Sequence, residues 1–298
     1  MTEQKRVILV TGANKGIGFE VVKKFLQQSS SKTNDIILLG SRDIKRGQDA
    51  IRKLGSPPNV HLLQLDTSSK ESIIAATKEI KQKYNGHLDI LINNAAIITN
   101  DNSIEGAKLT FATNYYGVKM INEQLIPLLH EQGRVINVAS GAGPLGLYLF
   151  SKELQEKYTL PTLTTQELDH IVQDFLSAYE SHNLEHLGYP SEIPYPAYTV
   201  SKAALIALTR IEAREYCHDK NLSIYSVCPG FCATDLSNNA ANARSAAIGA
   251  DSIVYLINTP ANELENGAFY QDGKKLPQIS DNDVKVKAFI EQSKTLFK

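Results

Sequence analysis

The feature that most constrains this chain is a recurring series of short, predominantly apolar runs separated by helix-patterned stretches. The runs are residues 6–11 (RVILVT), 36–40 (IILLG), 60–65 (VHLLQL), 88–93 (LDILIN), 134–140 (RVINVAS) and 222–227 (LSIYSV). Such runs suit strands buried on both faces of a parallel sheet. Helical patterns cover residues 12–28, 69–83, 110–130, 197–218 and 245–256. The alternation predicts an α/β fold with a doubly wound parallel sheet. GAFY near residue 269 is expected to add a seventh strand at the edge, and residues 284–297 a last amphipathic helix.

The rhythm breaks once. Residues 141–196 contain no strand pattern and are punctuated by Pro161, Pro190, Pro194 and Pro196. Within them, Leu168, Ile171, Val172, Phe175, Leu176 and Tyr179 form one helical stripe, with Thr165 as its expected cap. The segment reads as a helical insertion in a single unit spanning residues 1–298, too short and too proline-interrupted to stand as a second domain.

At the junction of the first strand and helix lies Thr11-Gly12-Ala13-Asn14-Lys15-Gly16-Ile17-Gly18. Gly12 permits a tight turn, while Gly16 and Gly18 permit close backbone approach. The following helix N-terminus offers N–H groups to an anion. The G-x-x-x-G-x-G spacing is one residue wider at its start than the usual dinucleotide fingerprint, but its position in a Rossmann-type pattern points to dinucleotide binding. The second strand ends in Gly40-Ser41-Arg42-Asp43. Arg42, helped by Lys15, can hold a ribose 2′-phosphate, which favours NADPH over NADH. Asp43 fits a helix start or cap. Asp66 suits either a bond from the adenine amine or a helix start. Asn93 and Asn94 can tie loops together, and the alanines at 95 and 96 leave room for a cofactor.

Tyr198 and Lys202 are four apart in a helical pattern and so share one face. The ammonium can lower the phenol pKa, and the phenol can give a proton to a carbonyl oxygen as hydride reaches carbon. Ser140, ending the fifth strand, can hydrogen-bond the same oxygen. Asn114, inside a helix, can bend it and support a proton-relay water beside Lys202. With 13 tyrosines a lone YxxxK carries little; its value comes from Ser140 at the carboxyl end of a sheet strand, where doubly wound folds place their sites. Pro229 and Gly230 begin a loop able to cover the nicotinamide, and Thr234 can bond its carboxamide or a phosphate. Gly141, Ala142, Phe231, Cys232 and Leu236 are candidate pocket residues, with core filling the alternative for Phe231, Cys232 and Leu236. Cys228 is either reactive or a small buried hydrophobe.

Composition narrows the partners. Formal net charge is −1, which advertises no nucleic-acid surface. The three cysteines, Cys217, Cys228 and Cys232, form no disulfide framework or metal-ligand cluster. No apolar run reaches membrane-spanning length, and the chain enters its first strand without an apolar leader, so a cytoplasmic location is the expectation.

Together these motifs resemble the short-chain dehydrogenase/reductase superfamily, and most of all its monomeric carbonyl reductase branch. The resemblance rests on Thr11, Gly12, Gly16 and Gly18; on Asp66, Asn93, Asn94 and Ala95; on Asn114, Ser140, Tyr198 and Lys202; and on Pro229, Gly230 and Thr234. Asn14 and Lys15, with Arg42, resemble the NADPH-specific version. Tyr198 stands 58 positions after Ser140, where ordinary members place the two much closer. The extra stretch resembles the insertion that, in monomeric carbonyl reductases, covers the assembly face, which implies a monomer. The resemblance implies NADPH-dependent reduction of aldehyde, ketone or quinone carbonyls. The alternative is a pathway-specific alcohol dehydrogenase or terpenoid or alkaloid ketone reductase; a non-catalytic NADPH sensor would need a broken tetrad. The small Gly141-Ala142-Gly143 stretch, and Phe231 where mammalian relatives carry tryptophan, imply a pocket open to bulky carbonyls.

Overall fold

The structure is a computed structural model that describes residues 5–28, 35–99, 101 and 103–294. In chain order the elements begin β1 (Val7–Val10), α1 (Gly16–Gln28), β2 (Ile36–Ser41), α2 (Ile44–Lys53), β3 (Val60–Gln64), α3 (Lys70–Lys83) and β4 (Leu88–Asn93). There follow α4 (Ile104–Phe111), a π turn at Ala112–Tyr116, α5 (Gly117–Leu125), β5 (Leu129–Val138), α6 (Ala142–Leu149), α7 (Lys152–Thr159) and α8 (Thr165–Glu180). The chain continues through α9 (Pro196–Lys220), β6 (Ser223–Val227), β7 (Cys232–Ala233), β8 (Arg244–Ser245), α10 (Ala246–Asn258), β9 (Phe269–Gln271), β10 (Lys274–Leu276) and α11 (Asp283–Ser293).

Eight strands form the main sheet in the order β10-β9-β6-β5-β4-β1-β2-β3, and every pairing except β9–β10 is parallel. The doubly wound expectation holds, and the order reverses between β1 and β4, where such sheets open a crevice. Central strands are buried along their length because both faces are covered. One face packs on α1 and α10 through Val21, Val22, Ile253 and Leu256, the other on α3 and α5 through Ile73, Ile80, Ile121 and Leu125.

Three expectations need correction. GAFY does not supply the edge: β9 lies between β6 and β10. A two-residue turn at Asp272-Gly273 returns the chain as antiparallel β10, whose Lys274 and Lys275 suit an exposed edge. The helix expected over 110–130 starts earlier and stops earlier. Ser103 caps α4 by accepting from Gly106 N at 3.1 Å, and Pro127, unable to donate, ends the run in a 3₁₀ turn from which β5 starts. Finally, Thr164 rather than Thr165 caps α8, in a reciprocal capping box with Glu167. The expected stripe of α8 faces inward: Leu168, Val172, Phe175 and Leu176 are buried, and Phe175 meets Phe111 of α4 with ring centroids 5.5 Å apart. The insertion thus joins the core built by α4, α6 and α9. Of the helix expected at 284–297, residues 295–297 lie outside the described residues. Among the described residues no helix is long and apolar enough to cross a membrane.

Under the sheet runs a buried polar network. Asn93 Nδ2 donates to Asn122 Oδ1 at 2.7 Å and Asn137 Oδ1 at 2.8 Å, Asn137 Nδ2 to Thr209 Oγ1 at 3.0 Å, and Asn122 Nδ2 to Glu212 Oε2 at 2.8 Å. It fastens β4, β5, α5 and α9 beneath the cleft. Burial pushes the Glu212 carboxyl up to about 8, with the Asn122 bond pulling the other way. A carboxyl whose pKa rises on folding stabilises while protonated, and that contribution is lost as pH climbs through the folded value. Glu212→Gln should therefore match the wild type in stability near pH 5 and exceed it near pH 9, by on the order of 4 kcal/mol. Parallel denaturation curves with no divergence across this range would remove Glu212 as a buried titrating group.

Candidate active site

The carboxyl ends of β1, β2, β4, β5 and β6 surround a cleft of about 550 Å³. Its floor is the glycine turn. Gly12 has φ +63°, and a Cβ there would fall 2.9 Å from Ala95 Cα; a Cβ on Gly18 would fall 2.5 Å from Asn94 Nδ2. The turn and the end of β4 are laced together. Asn94 N and Ala95 N both donate to Thr11 Oγ1 at 3.0 Å, and Asn94 Nδ2 donates to Thr11 O at 2.9 Å. Asn93, expected to tie loops, instead faces inward into the buried network.

At one end of the cleft stand Arg42, Asp43, Arg46 and Asp66. Asp43 is the cap of α2, accepting from Arg46 N at 2.8 Å. Its negative charge is therefore committed to the helix start, while Arg42 and Arg46 are exposed at the cleft. Asp66 Oδ1 closes a turn by accepting from Ser68 N at 2.9 Å and Ser68 Oγ at 2.7 Å, while the residue also lines the cleft. Lys15 pairs with Asp235 across the cleft mouth, which the sequence reading did not anticipate.

At the other end stand Tyr198 and Lys202, on consecutive turns of α9. Lys202 is only 2% exposed; its Nζ donates to Val138 O at 2.9 Å and lies 5.6 Å from the Tyr198 ring centroid. Burial pushes this lysine down to about 7. Burial also pushes the Tyr198 phenol up to about 12, while a hydrogen bond with the Ser140 side chain pulls it down. Ser140 Oγ also accepts from Ala142 N at 3.1 Å, which fixes its direction.

Asn114 sits in the π turn, a local widening of the helix often found at functional sites. Its side chain is fully engaged. Oδ1 accepts from Ile97 N at 2.9 Å, and Nδ2 donates to Ile97 O at 2.9 Å and Ser201 Oγ at 3.2 Å. The amide therefore joins the strand β4 loop to α9 beside Lys202.

Of the residues expected to bind a cofactor, Gly12, Asn14, Lys15, Gly16, Ile17, Arg42, Asp66, Asn94, Ala95, Tyr198, Lys202, Pro229 and Thr234 line the cleft. Of the expected pocket residues Leu236 lines it, whereas Gly141, Ala142, Phe231 and Cys232 line neither this cleft nor the cavity beside it. Gly141 is turned toward Cys228, its N–H donating to Sγ at 3.2 Å. That second cavity, of about 370 Å³, opens on Tyr198 and has a mixed wall, with Ile98, Tyr179, Ile193, Pro194, Tyr195 and Pro196 on its apolar and aromatic part and Thr99, Asp101, Thr110, Ser293 and Lys294 on its polar part. The sequence assigned Tyr179 to the core stripe and gave α11 no place at the site. Tyr195 secures α11, its hydroxyl donating to Gln292 O at 3.3 Å. Arg46 was also missed, although a second arginine in the first turn after Arg42 was a readable signal.

A glycine-floored crevice at a topological switch point, with a buried Tyr–Lys pair and a serine at its far end, defines a dinucleotide-dependent oxidoreductase of the doubly wound class. A model of the short chain dehydrogenase family matches residues 6–152. The (+)-neomenthol dehydrogenase of Capsicum annuum is 34% identical over 90% of this chain and 96% of its own length. NADPH carbonyl reductase 1 of Sus scrofa is 35% identical over 92% and 94%. The structure of salutaridine reductase from Papaver somniferum superposes with a TM-score of 0.77 at 30% identity, covering 89% of this chain and 99% of that one. The chain belongs to the short-chain dehydrogenase/reductase family.

Proposed function

We propose that this enzyme reduces a bulky alicyclic or polycyclic ketone of the terpenoid or alkaloid kind with NADPH. The observation that carries the reading is the Tyr198–Ser140 hydrogen bond at the point where the cofactor cleft and the second cavity meet. NADPH fits the cleft on the chain's own features. Neighbouring atoms leave no room for side chains at Gly12 and Gly18, two exposed arginines at one end would hold a 2′-phosphate, and the apolar Leu65 and Ile97 are among the lining residues.

When bound, NADPH supplies the hydride. The chain's residues do the rest. The phenol of Tyr198, held protonated at neutral pH by burial, is in the form a proton donor needs. Ser140 Oγ, fixed by Ala142 N, orients the carbonyl oxygen and supports the charge that develops on it. Lys202, with one proton committed to Val138 O, has further ammonium donors to direct at the nicotinamide ribose and at the phenol. Asn114 holds the Ile97 backbone and Ser201 in place, a frame within which a water can return a proton to Lys202.

The size and mixed lining of the second cavity support the ketone class. Ile193, Pro194, Pro196 and Tyr179 offer a rigid ring system apolar contact, while Thr99, Asp101, Thr110, Ser293 and Lys294 offer polar groups to a functionalised one, and a small aldehyde would reach few of either. The terpenoid and alkaloid names of two of the relatives agree with this. A broad reductase of aldehydes, ketones and quinones is the second reading, favoured by the similarity to the porcine carbonyl reductase. NADPH consumption with a panel of menthone-like monocycles, polycyclic alkaloid ketones, quinones and short aldehydes separates the two. The first reading expects kcat/KM for a cyclic ketone to exceed that of short aldehydes by at least about 100-fold, the value of roughly three or four buried methylenes. Flat selectivity would replace it with the second.

A further inference from the structure

Behind the loop that closes the cleft at β6 lies a network outside the chemistry above. Arg244, in β8, faces the back of residues 229–236. Its Nε donates to Pro229 O at 2.8 Å and a terminal nitrogen donates to the same carbonyl. The guanidinium also grips Asp272 at 3.0 and 2.9 Å, a bidentate pairing. Asp272 is the tip of the β9–β10 hairpin, held at φ +51°. Ser252 Oγ of α10 donates to Asp272 Oδ1 at 2.7 Å and accepts from Asp272 N at 3.2 Å. The fit against the loop is close, because a Cβ on Gly230 would fall 2.4 Å from Arg244 Nε. Arg244 N further donates to Phe231 O at 2.9 Å, so main chain and side chain grip the same turn.

We propose that Arg244, braced by Asp272 and Ser252, is a positioning residue that sets the 229–236 loop against the nicotinamide half of the bound cofactor. The sheet order supports the placement. Pro229, the point the side chain grips, follows β6, and Arg42 follows β2, on opposite sides of β1, so the clamp acts on the start of the loop, at the end of the cleft that holds Tyr198, while the far end of the loop is held separately through Asp235 and Lys15. No side chain of the clamp is among the groups lining the cleft, so its influence passes through the Pro229 carbonyl. The inference rests on the reading of the cleft as an NADPH site.

The test is a fluorescence titration of the full-length protein, as wild type, Arg244→Gln, Asp272→Asn and the double variant, with NADPH and with the half-cofactor 2′,5′-ADP. Asp272→Asn keeps the size of the side chain and removes its charge, which guards against a variant that fails to fold. The expected result is a rise in NADPH Kd of at least about tenfold in each single variant, as when charge-assisted hydrogen bonds are lost. The double variant should be no weaker than the worse single, since both break one unit. Affinity for 2′,5′-ADP should stay within about twofold of wild type. Equal losses for both ligands would make the network a general brace, and unchanged NADPH affinity would leave the loop indifferent to it; either overturns the proposal. Wild-type protein that bound neither ligand would overturn the NADPH reading, and the clamp with it.

Discussion

Tyr198→Phe is expected to lower kcat for carbonyl reduction by about 10²–10⁴-fold, the usual contribution of a positioned general acid. The substitution removes one hydroxyl and keeps the ring, so the walls shared by the two cavities stay filled. NADPH affinity should therefore change by no more than about twofold. The split between kcat and binding is what identifies the role, since an interaction made only in the transition state costs turnover and spares ground-state binding. The environment of the phenol supports the direction. Burial raises it to about 12, which keeps the phenol protonated at neutral pH. In the proposed role Tyr198 acts from its protonated form, and its hydrogen bond with Ser140 would ease proton release. Single-turnover measurement with pre-bound NADPH isolates the chemical step. A variant that reduced ketone at near wild-type rate would remove Tyr198 from the chemistry and shift attention to Ser140 or a water.

The sheet and the residues at strand ends were readable in the sequence for a physical reason. Parallel strands covered on both faces are predominantly apolar, so LDILIN coincides with β4 residue for residue, and Ser140, Pro229 and the glycine turn fall where strands stop. Periodicity failed where a local device overrode it. Pro127 cut a helix short, a two-residue turn added β10, and the π turn around Asn114 has no sequence signature that helical spacing would show. The pocket was the least legible part, because its walls come from segments far apart in sequence. Ile98 follows β4, Tyr179 ends the insertion helix, Tyr195 precedes α9 and Lys294 ends α11. Proximity along the chain to Ser140 and Cys228 suggested Gly141, Ala142 and Phe231 instead, yet the backbone after Ser140 turns at once into α6 and carries the first two away. Contacts set by tertiary packing leave no mark on local pattern.

Arg42→Asp is expected to weaken NADPH binding by about 100-fold and to leave NADH within a few-fold of wild type, reversing or erasing the cofactor preference. Losing a charge-assisted phosphate contact costs roughly 1.5–3 kcal/mol, and a carboxylate placed against a dianionic group adds repulsion to that loss. The geometry makes Arg42 the sharpest place to test. Lys15, the other cation read from the sequence, is already paired with Asp235, so its charge is partly spoken for. Arg46 stands at the same end of the cleft, one helical turn behind, with its backbone N–H held by Asp43. Arg42→Asp should therefore take the larger share, and adding Arg46→Asp should weaken NADPH further while NADH again changes little. If the two arginines address one phosphate, as proposed, the losses should combine to less than their sum. Isothermal titration with both cofactors reads the result directly. Equal losses for NADPH and NADH would mean that the arginines hold the cleft's shape rather than the phosphate, and the preference would then have to reside in Ser41 and Lys15, the remaining groups at that end.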